Sequence, residues 1–306
     1  TIAGIPVVAE LVNAVNASSL GRKVLEKALG VDTEAPVPKY HGKSARSRLK
    51  DRIGKAAEAK PAGDTQGRVA VFATCYGNRN RPGLVEDLVA VLEHNDIGVA
   101  LLGQERCCGM PKLELGDLKA IERLTDANID ELDRHAREGW DLTAVVPSCV
   151  LMFKQELPLL FPDDERVRRV AHAFFDPFEY LMLRHRAGVL KTDFAASLGK
   201  ISYQVPCHLR VQNIGLKTRD VLQLVPDTTV QAIERCSGHD GTYGVKTKYA
   251  ATSRKIARPV ARQVDGAAAQ HFTSDCPMAA EQIAGIAESS VEPTHPIQLL
   301  RRAYGL

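Results

Sequence analysis

Residues 68–75 read RVAVFATC, a short apolar run rich in β-branched residues that stops at a cysteine. The pattern returns along the chain. Val99 to Leu102 leads to the pair Cys107 and Cys108, Leu142 to Pro147 to Cys149, and Ile201 to Pro206 to Cys207; Thr228 to Ile233 leads to Cys236 and His271 to Ser274 to Cys276. Runs this short, bounded by turn residues, read as buried strands. The stretches between them have helical spacing, as in Leu84, Val85, Leu88, Val91 and Leu92, opened by Pro82 and followed by Gly98. A second such stretch carries Leu118, Ile121, Leu124, Ile129, Leu132 and Ala136. Strands alternating with helices make βαβ units and so a parallel sheet. In open α/β sheets ligands bind beyond the strand carboxyl ends. A lone cysteine there would pack as a small hydrophobe, but sulfur at every one of these ends predicts two thiolate-lined sites.

The order of strand and sulfur occurs twice, with RCCG at 106–109 answered by RCSG at 235–238, and Cys149 with Met152 answered by Cys276 with Met278. The expected fold is α/β, a tandem repeat of two parallel-sheet βαβ domains with cysteines at the strand carboxyl ends. A helical, basic N-terminal segment precedes them. Residues 1–66 are expected to hold one helix, Ile5 to Leu29, ended by Gly30, and a basic linker; residues 67–198 form the first domain and 199–306 the second, degenerate one.

Composition narrows the function classes. A chain of 306 residues with 44% hydrophobic content suits about two globular domains. No stretch approaches the roughly 20 apolar residues of a membrane span, and Thr1 to Leu20 lacks the pattern of a secretory signal. A net charge of +3 gives no reason to expect nucleic acid. Locally, Lys39, Lys43, Arg46, Arg48, Lys50, Arg52, Lys55 and Lys60 face only Asp51 and Glu58. That run reads as a solvated linker, or as a contact with an acidic partner or an anionic lipid surface. Seven cysteines, two of them adjacent, fit a disulfide framework badly. The expected location is therefore the reducing cytoplasm, with peripheral contact at the inner membrane face left open, and the expected chemistry is metal binding or redox.

Adjacent Cys107 and Cys108 can serve one site if they bind different metal atoms, which favours a multi-iron cluster over a single zinc ion. Gly109 permits a sharp turn. Gly238, Gly241 and Gly244 could present backbone N–H groups to an anionic cluster. Their spacing is wrong for a dinucleotide fingerprint. A nucleophile–base pair from Cys207 and His208 is disfavoured, since adjacent residues on an emerging strand point oppositely. Phe174, Phe175, Phe178 and Tyr180 have helical spacing and are expected to pack a domain-joining helix.

Cys75, a gap of 31 residues, Cys107-Cys108-Gly109 and then Cys149 resemble the cysteine-rich CCG domain family, whose domain is found in duplicate in one subunit of heterodisulfide reductase and in one subunit of anaerobic glycerol-3-phosphate dehydrogenase. Val12 to Lys23, Pro38-Lys39-Tyr40, Cys236 to Gly244 and Ser274 to Met278 resemble the second branch. The resemblance covers nearly the whole chain. It implies an iron–sulfur electron-transfer subunit of an oxidoreductase rather than a complete enzyme. Such a subunit would relay electrons between a partner dehydrogenase or ferredoxin and a quinone or thiol/disulfide acceptor. The family's fullest form supplies five cysteines per repeat to a noncubane four-iron cluster, but Met152 takes the last place in the first repeat. Cys75, Cys107, Cys108 and Cys149 remain, enough for a conventional 4Fe-4S cluster. In the second repeat Ser237 and Ala279 stand where cysteines could, leaving Cys207, Cys236 and Cys276. A second cluster or zinc there would take a fourth ligand from His208, His239, Ser237, Asp275 or solvent. Relatives in the glycerol-3-phosphate dehydrogenase branch carry ferredoxin-like motifs before the segment like Val12 to Lys23. None precedes it here, so electrons are expected to arrive from another polypeptide or from a ferredoxin segment lost from the chain. Two competing readings stay open: a zinc-binding or metal-free scaffold, and a thiol–disulfide protein using Cys107 and Cys108.

Overall fold

The computed structural model describes residues 6–289 and 292–306. It contains two four-stranded sheets with the same all-parallel plan. The first is ordered β2-β1-β3-β4, from β1 (Arg68–Phe72), β2 (Gly98–Leu101), β3 (Asp141–Ala144) and β4 (Phe174–Phe175). The second is ordered β6-β5-β7-β8, from β5 (Gly199–Gln204), β6 (Thr228–Ile233), β7 (His271–Thr273) and β8 (Pro293–Thr294). The tandem parallel-sheet α/β fold expected from the sequence is the fold of the chain. Val69, Ala70, Val71 and Phe72 are buried, which explains why β1 reads as a continuous apolar run.

Three local expectations differ from the structure. Each half has a fourth strand, β4 and β8, and two residues are too few to show periodicity. Phe174 and Phe175 therefore belong to a strand and not to the helix; that helix, Pro177–Arg186, starts after Asp176, whose side chain accepts from the N–H groups of Phe178 and Glu179. The N-terminal helix is two helices, Pro6–Ala17 and Ser19–Leu29, because the Ser18 hydroxyl accepts from Gly21 N at 3.0 Å and starts a new one. Ile5 lies outside the described residues.

The halves exchange their last helices. Pro177–Arg186, which ends the first half, packs against Lys217–Leu222 of the second, and Pro296–Ala303 packs against Pro82–His94 of the first. Arg301 pairs with Asp87 across this contact, and Tyr304 donates to Lys191 O at 2.7 Å. One continuous apolar core runs from β1 and β3 into β5. A smaller cluster lies under the long helix Thr247–Ala267.

The N-terminal segment is a strap between the two halves. Buried Arg22 donates to the carbonyls of Asp32, Thr33 and Ala35. Beside it the backbone meets the second half, Asp32 N donating to Val245 O and Thr247 N to Gly30 O, both at 2.8 Å. At its other end Arg46 donates to Leu102 O and Gly103 O and pairs with Glu105. Arg48 and Arg52 pair with Glu86 and Glu93. The basic run thus faces more acid than its own sequence shows, while Lys39, Lys43, Lys50, Lys55 and Lys60 stay exposed.

Candidate metal centre

All seven cysteines lie just beyond strand carboxyl ends, and all are free thiols. Cys75 opens the short helix Cys75–Arg79 after β1. Thr74 ahead of it has φ 61° and ψ 159°, a conformation normally left to glycine. Its hydroxyl accepts from Gly77 N at 2.8 Å, so the cap holds the strained backbone that turns Cys75 out of the sheet. Cys107 and Cys108 lie on the loop after β2. Gly109 follows at φ 101° and starts the helix Met110–Leu113. Cys149 lies in the helix Pro147–Leu151, which continues into a π-helical turn at Met152–Glu156.

The four thiols of the first domain form a row of interacting sulfurs, Cys75 with Cys107, Cys107 with Cys108, and Cys108 with Cys149. Thiol donation from Cys108 and Cys75, then the Gly109 N–H and the Lys112 charge, pull Cys107 far below the usual thiol range. The same contacts push its neighbours the other way. Cys75 is raised by its bond to Cys107 and by desolvation, and Cys108 by its bonds to Cys107 and Cys149 and by burial.

Residues that cysteine counting does not reveal hold this row. Asn128, buried on the helix Leu118–Arg137, accepts from Arg106 N at 2.7 Å and donates to Cys107 O at 3.1 Å. Glu105, its side chain 7% exposed, accepts from Ala73 N and from Arg46, tying the loop after β2 to the end of β1; desolvation of the side chain raises its carboxyl to about 7. The one sequence signal for Asn128 is its spacing, four residues from both Leu124 and Leu132. Met152 is fully buried, with its terminal carbon 3.3 Å from where a Cβ on Gly109 would stand. Its thioether therefore packs against the Gly109 turn. Gly109→Ala should cost about 1–2 kcal/mol from its left-handed backbone, read as a lower thermal melt. Unchanged melting would show that the turn is not constrained.

In the second domain Cys207, Cys236 and Cys276 line one cavity of about 260 Å³ with His208, Ser237, His239, Gly241, Met278 and Ala279. Met110, Glu114 and Ser148 of the first domain complete its wall. Burial raises Cys276 to about 12, and crowding by protein atoms also raises Cys207. Gly238 N donates to Cys236 Sγ at 3.3 Å, the contact expected of a glycine loop beside a cluster. Gly241 serves differently, leaving room for the Glu114 carboxylate, and Gly244 N closes the loop on His239 O at 2.8 Å. His208 Nε2 lies 3.8 Å from Glu114. Asp275 is occupied by Tyr203 and Thr218, which donate to it at 2.6 and 2.8 Å.

Among the described residues, no three histidine, cysteine, aspartate or glutamate side chains are gathered as a single metal ion would hold them. Zinc with bonds of about 2.3 Å to sulfur draws its donors into one tight shell. A four-iron cluster instead takes one thiolate at each of four separated corners. Four cysteines on three strand ends, with an amide donor at Gly109, fit the second requirement.

Residues 69–154 match the CCG family, described as a cysteine-rich domain. The chain is 27% identical over 303 residues to a subunit of the anaerobic glycerol-3-phosphate dehydrogenase of Escherichia coli K12, covering 96% of this chain and 72% of that protein. It is 25% identical over 227 residues to a subunit of the fumarate reductase (CoM/CoB) of Methanothermobacter marburgensis, covering 72% of this chain and 42% of the relative. Lactate utilization protein A of Bacillus licheniformis is 25% identical over 189 residues, covering 58% of this chain and 75% of that protein.

Proposed function

The chain belongs to the family of proteins that carry the CCG cysteine-rich domain, and from that premise we propose that it is an iron–sulfur electron-transfer subunit of a larger oxidoreductase. The observation that carries this reading is the row of four thiols at the strand ends of the first domain. Cys75, Cys107, Cys108 and Cys149 would hold a 4Fe-4S cluster, and Cys207, Cys236 and Cys276 would hold a second centre 58 or more residues further along the chain. When bound, such clusters accept and release single electrons at potentials set by ligand charge and by hydrogen bonds to sulfur. The chain's own part is to supply those bonds from Gly109 and Gly238, to lock the ligand loop through Asn128, and to exclude water with Met152 and its apolar neighbours.

Two of these relatives are subunits of a dehydrogenase and a reductase, which supports a partner subunit that donates or accepts electrons. The terminal acceptor would be a quinone or a thiol/disulfide pair. No helix among the described residues is long and apolar enough to cross a membrane. The five exposed lysines between Lys39 and Lys60 offer a surface for an acidic partner or for anionic lipid headgroups.

Protein purified without oxygen is expected to contain iron and acid-labile sulfide and to give a cluster EPR signal on reduction. Stoichiometric zinc without iron would overturn the reading in favour of a zinc scaffold. Metal-free protein with a reversible Cys107–Cys108 disulfide would overturn it in favour of thiol–disulfide chemistry.

A further inference from the structure

One side chain in the second domain's cavity has nothing to bind. His239 is 8% exposed, yet neither Nδ1 nor Nε2 has a hydrogen-bond partner. Leaving a buried polar group unsatisfied costs about 1–3 kcal/mol. His239 is among the residues that line the same cavity as Cys207, Cys236 and Cys276. Its backbone is fixed on both sides. His239 N donates to Ser237 Oγ, the preceding Gly238 sits at φ 72° with its carbonyl accepting from Ser253, and Gly244 N donates to His239 O.

Two other candidate donors are engaged: Asp275 is held by two hydroxyls, and Ser237 accepts from the histidine's own backbone. His208 lines the same cavity but its side chain is 27% exposed, with Nε2 3.8 Å from Glu114, beyond hydrogen-bond distance. Resting on the reading of this cavity as a cluster site, we propose that His239 supplies the fourth protein ligand, a neutral imidazole beside three thiolates. The consequence concerns the direction of electron flow. Exchanging a thiolate for an imidazole removes one negative charge from the cluster environment, and histidine ligation raises a cluster's potential. The second centre is then the better electron acceptor. A cluster held by Cys207, Cys236, Cys276 and His239 would accept an electron from a reduced cluster held by Cys75, Cys107, Cys108 and Cys149.

The test uses the whole chain, reconstituted with iron and sulfide without oxygen. The spectral difference from a Cys236→Ser/Cys276→Ser double variant defines the second-site signal. Pulsed EPR of that signal is expected to show nitrogen coupling that changes on [15N]histidine labelling, disappears in His239→Ala and persists in His208→Ala. His239→Cys is expected to keep second-site iron and to shift its midpoint potential downward. Second-site iron with no histidine coupling, and an unchanged potential in His239→Cys, would overturn the ligand assignment while leaving the cluster reading standing. No second-site iron in the unmodified chain would overturn both.

Discussion

A Cys108→Ala chain purified without oxygen is expected to lose the iron of the first domain and its EPR signal while staying folded. Cys108 is 4% exposed and lies between Cys107 and Cys149 in the sulfur row. Removing one buried sulfur from a packed site costs roughly 1 kcal/mol, the scale of a small core truncation. The effect on metal is far larger. Changes outside the ligand shell already weaken metal binding about 10–100-fold, so loss of a ligand should exceed that range. Binding to the native state alone also stabilises it. The unmodified chain should therefore melt higher with iron than without, and the variant should show no such difference. Full iron content in Cys108→Ala, with the same melting difference, would remove Cys108 from the ligand set.

The second large effect is on stability against pH, and it lies between the two halves. Asp176 is 2% exposed, and burial, then the nearby charges of Asp275 and Glu179, raise its carboxyl to about 8; Asp275 is raised to about 6 by burial. A carboxyl that keeps its proton in the folded chain but loses it near pH 4 when unfolded stabilises the fold at low pH. That contribution is fully present below the unfolded pKa and is lost as pH rises through about 8. Buried His295 has the opposite sign. Its pKa is lowered to about 4, so its stabilising neutral form is lost as pH falls below about 6.5. Above that value His295 is neutral in both states.

Asp176→Asn imitates the protonated acid, and asparagine still accepts the two N–H groups that Asp176 caps. Denaturant titrations of both chains at pH 6.5 and pH 8 should find the variant the more stable. Its advantage should widen by about 1.6 kcal/mol over that window, somewhat less than one full proton over 1.5 pH units because the acid is half ionised at pH 8. Titrating groups remote from Asp176, including Glu105, cancel in the comparison. An advantage that stays constant across the window would mean that Asp176 is already ionised in the folded chain.

Neither Asp176 nor His295 shows its role in the sequence, although the repeat contains both. Each follows a two-residue strand, caps the next helix with a capping box and precedes a proline. Asp176-Pro177 and His295-Pro296 share only the proline, so the correspondence emerges once β4 and β8 are seen. Arg46 and Glu105 are similarly hidden, lying 59 residues apart, with nothing local to couple them. Thr74 is another case. Its β-branched side chain predicts continued strand, whereas the cap to Gly77 holds it in left-handed backbone.

What the sequence determined by itself was the order of strand, sulfur and helix, repeated once. It could do so because burial on both faces of a parallel strand leaves a continuous apolar run, and the cysteine that ends the run is chemically distinct. Met152, Ser237 and Ala279 are read from the same order as the places where the resemblance leads one to expect cysteine. Only the tertiary structure decided which donors meet. The row of four thiols, the approach of His208 to Glu114 and the isolation of His239 depend on packing between segments far apart in the chain. No local pattern records that packing, because a side chain's partners are set by the whole fold and not by its neighbours in sequence.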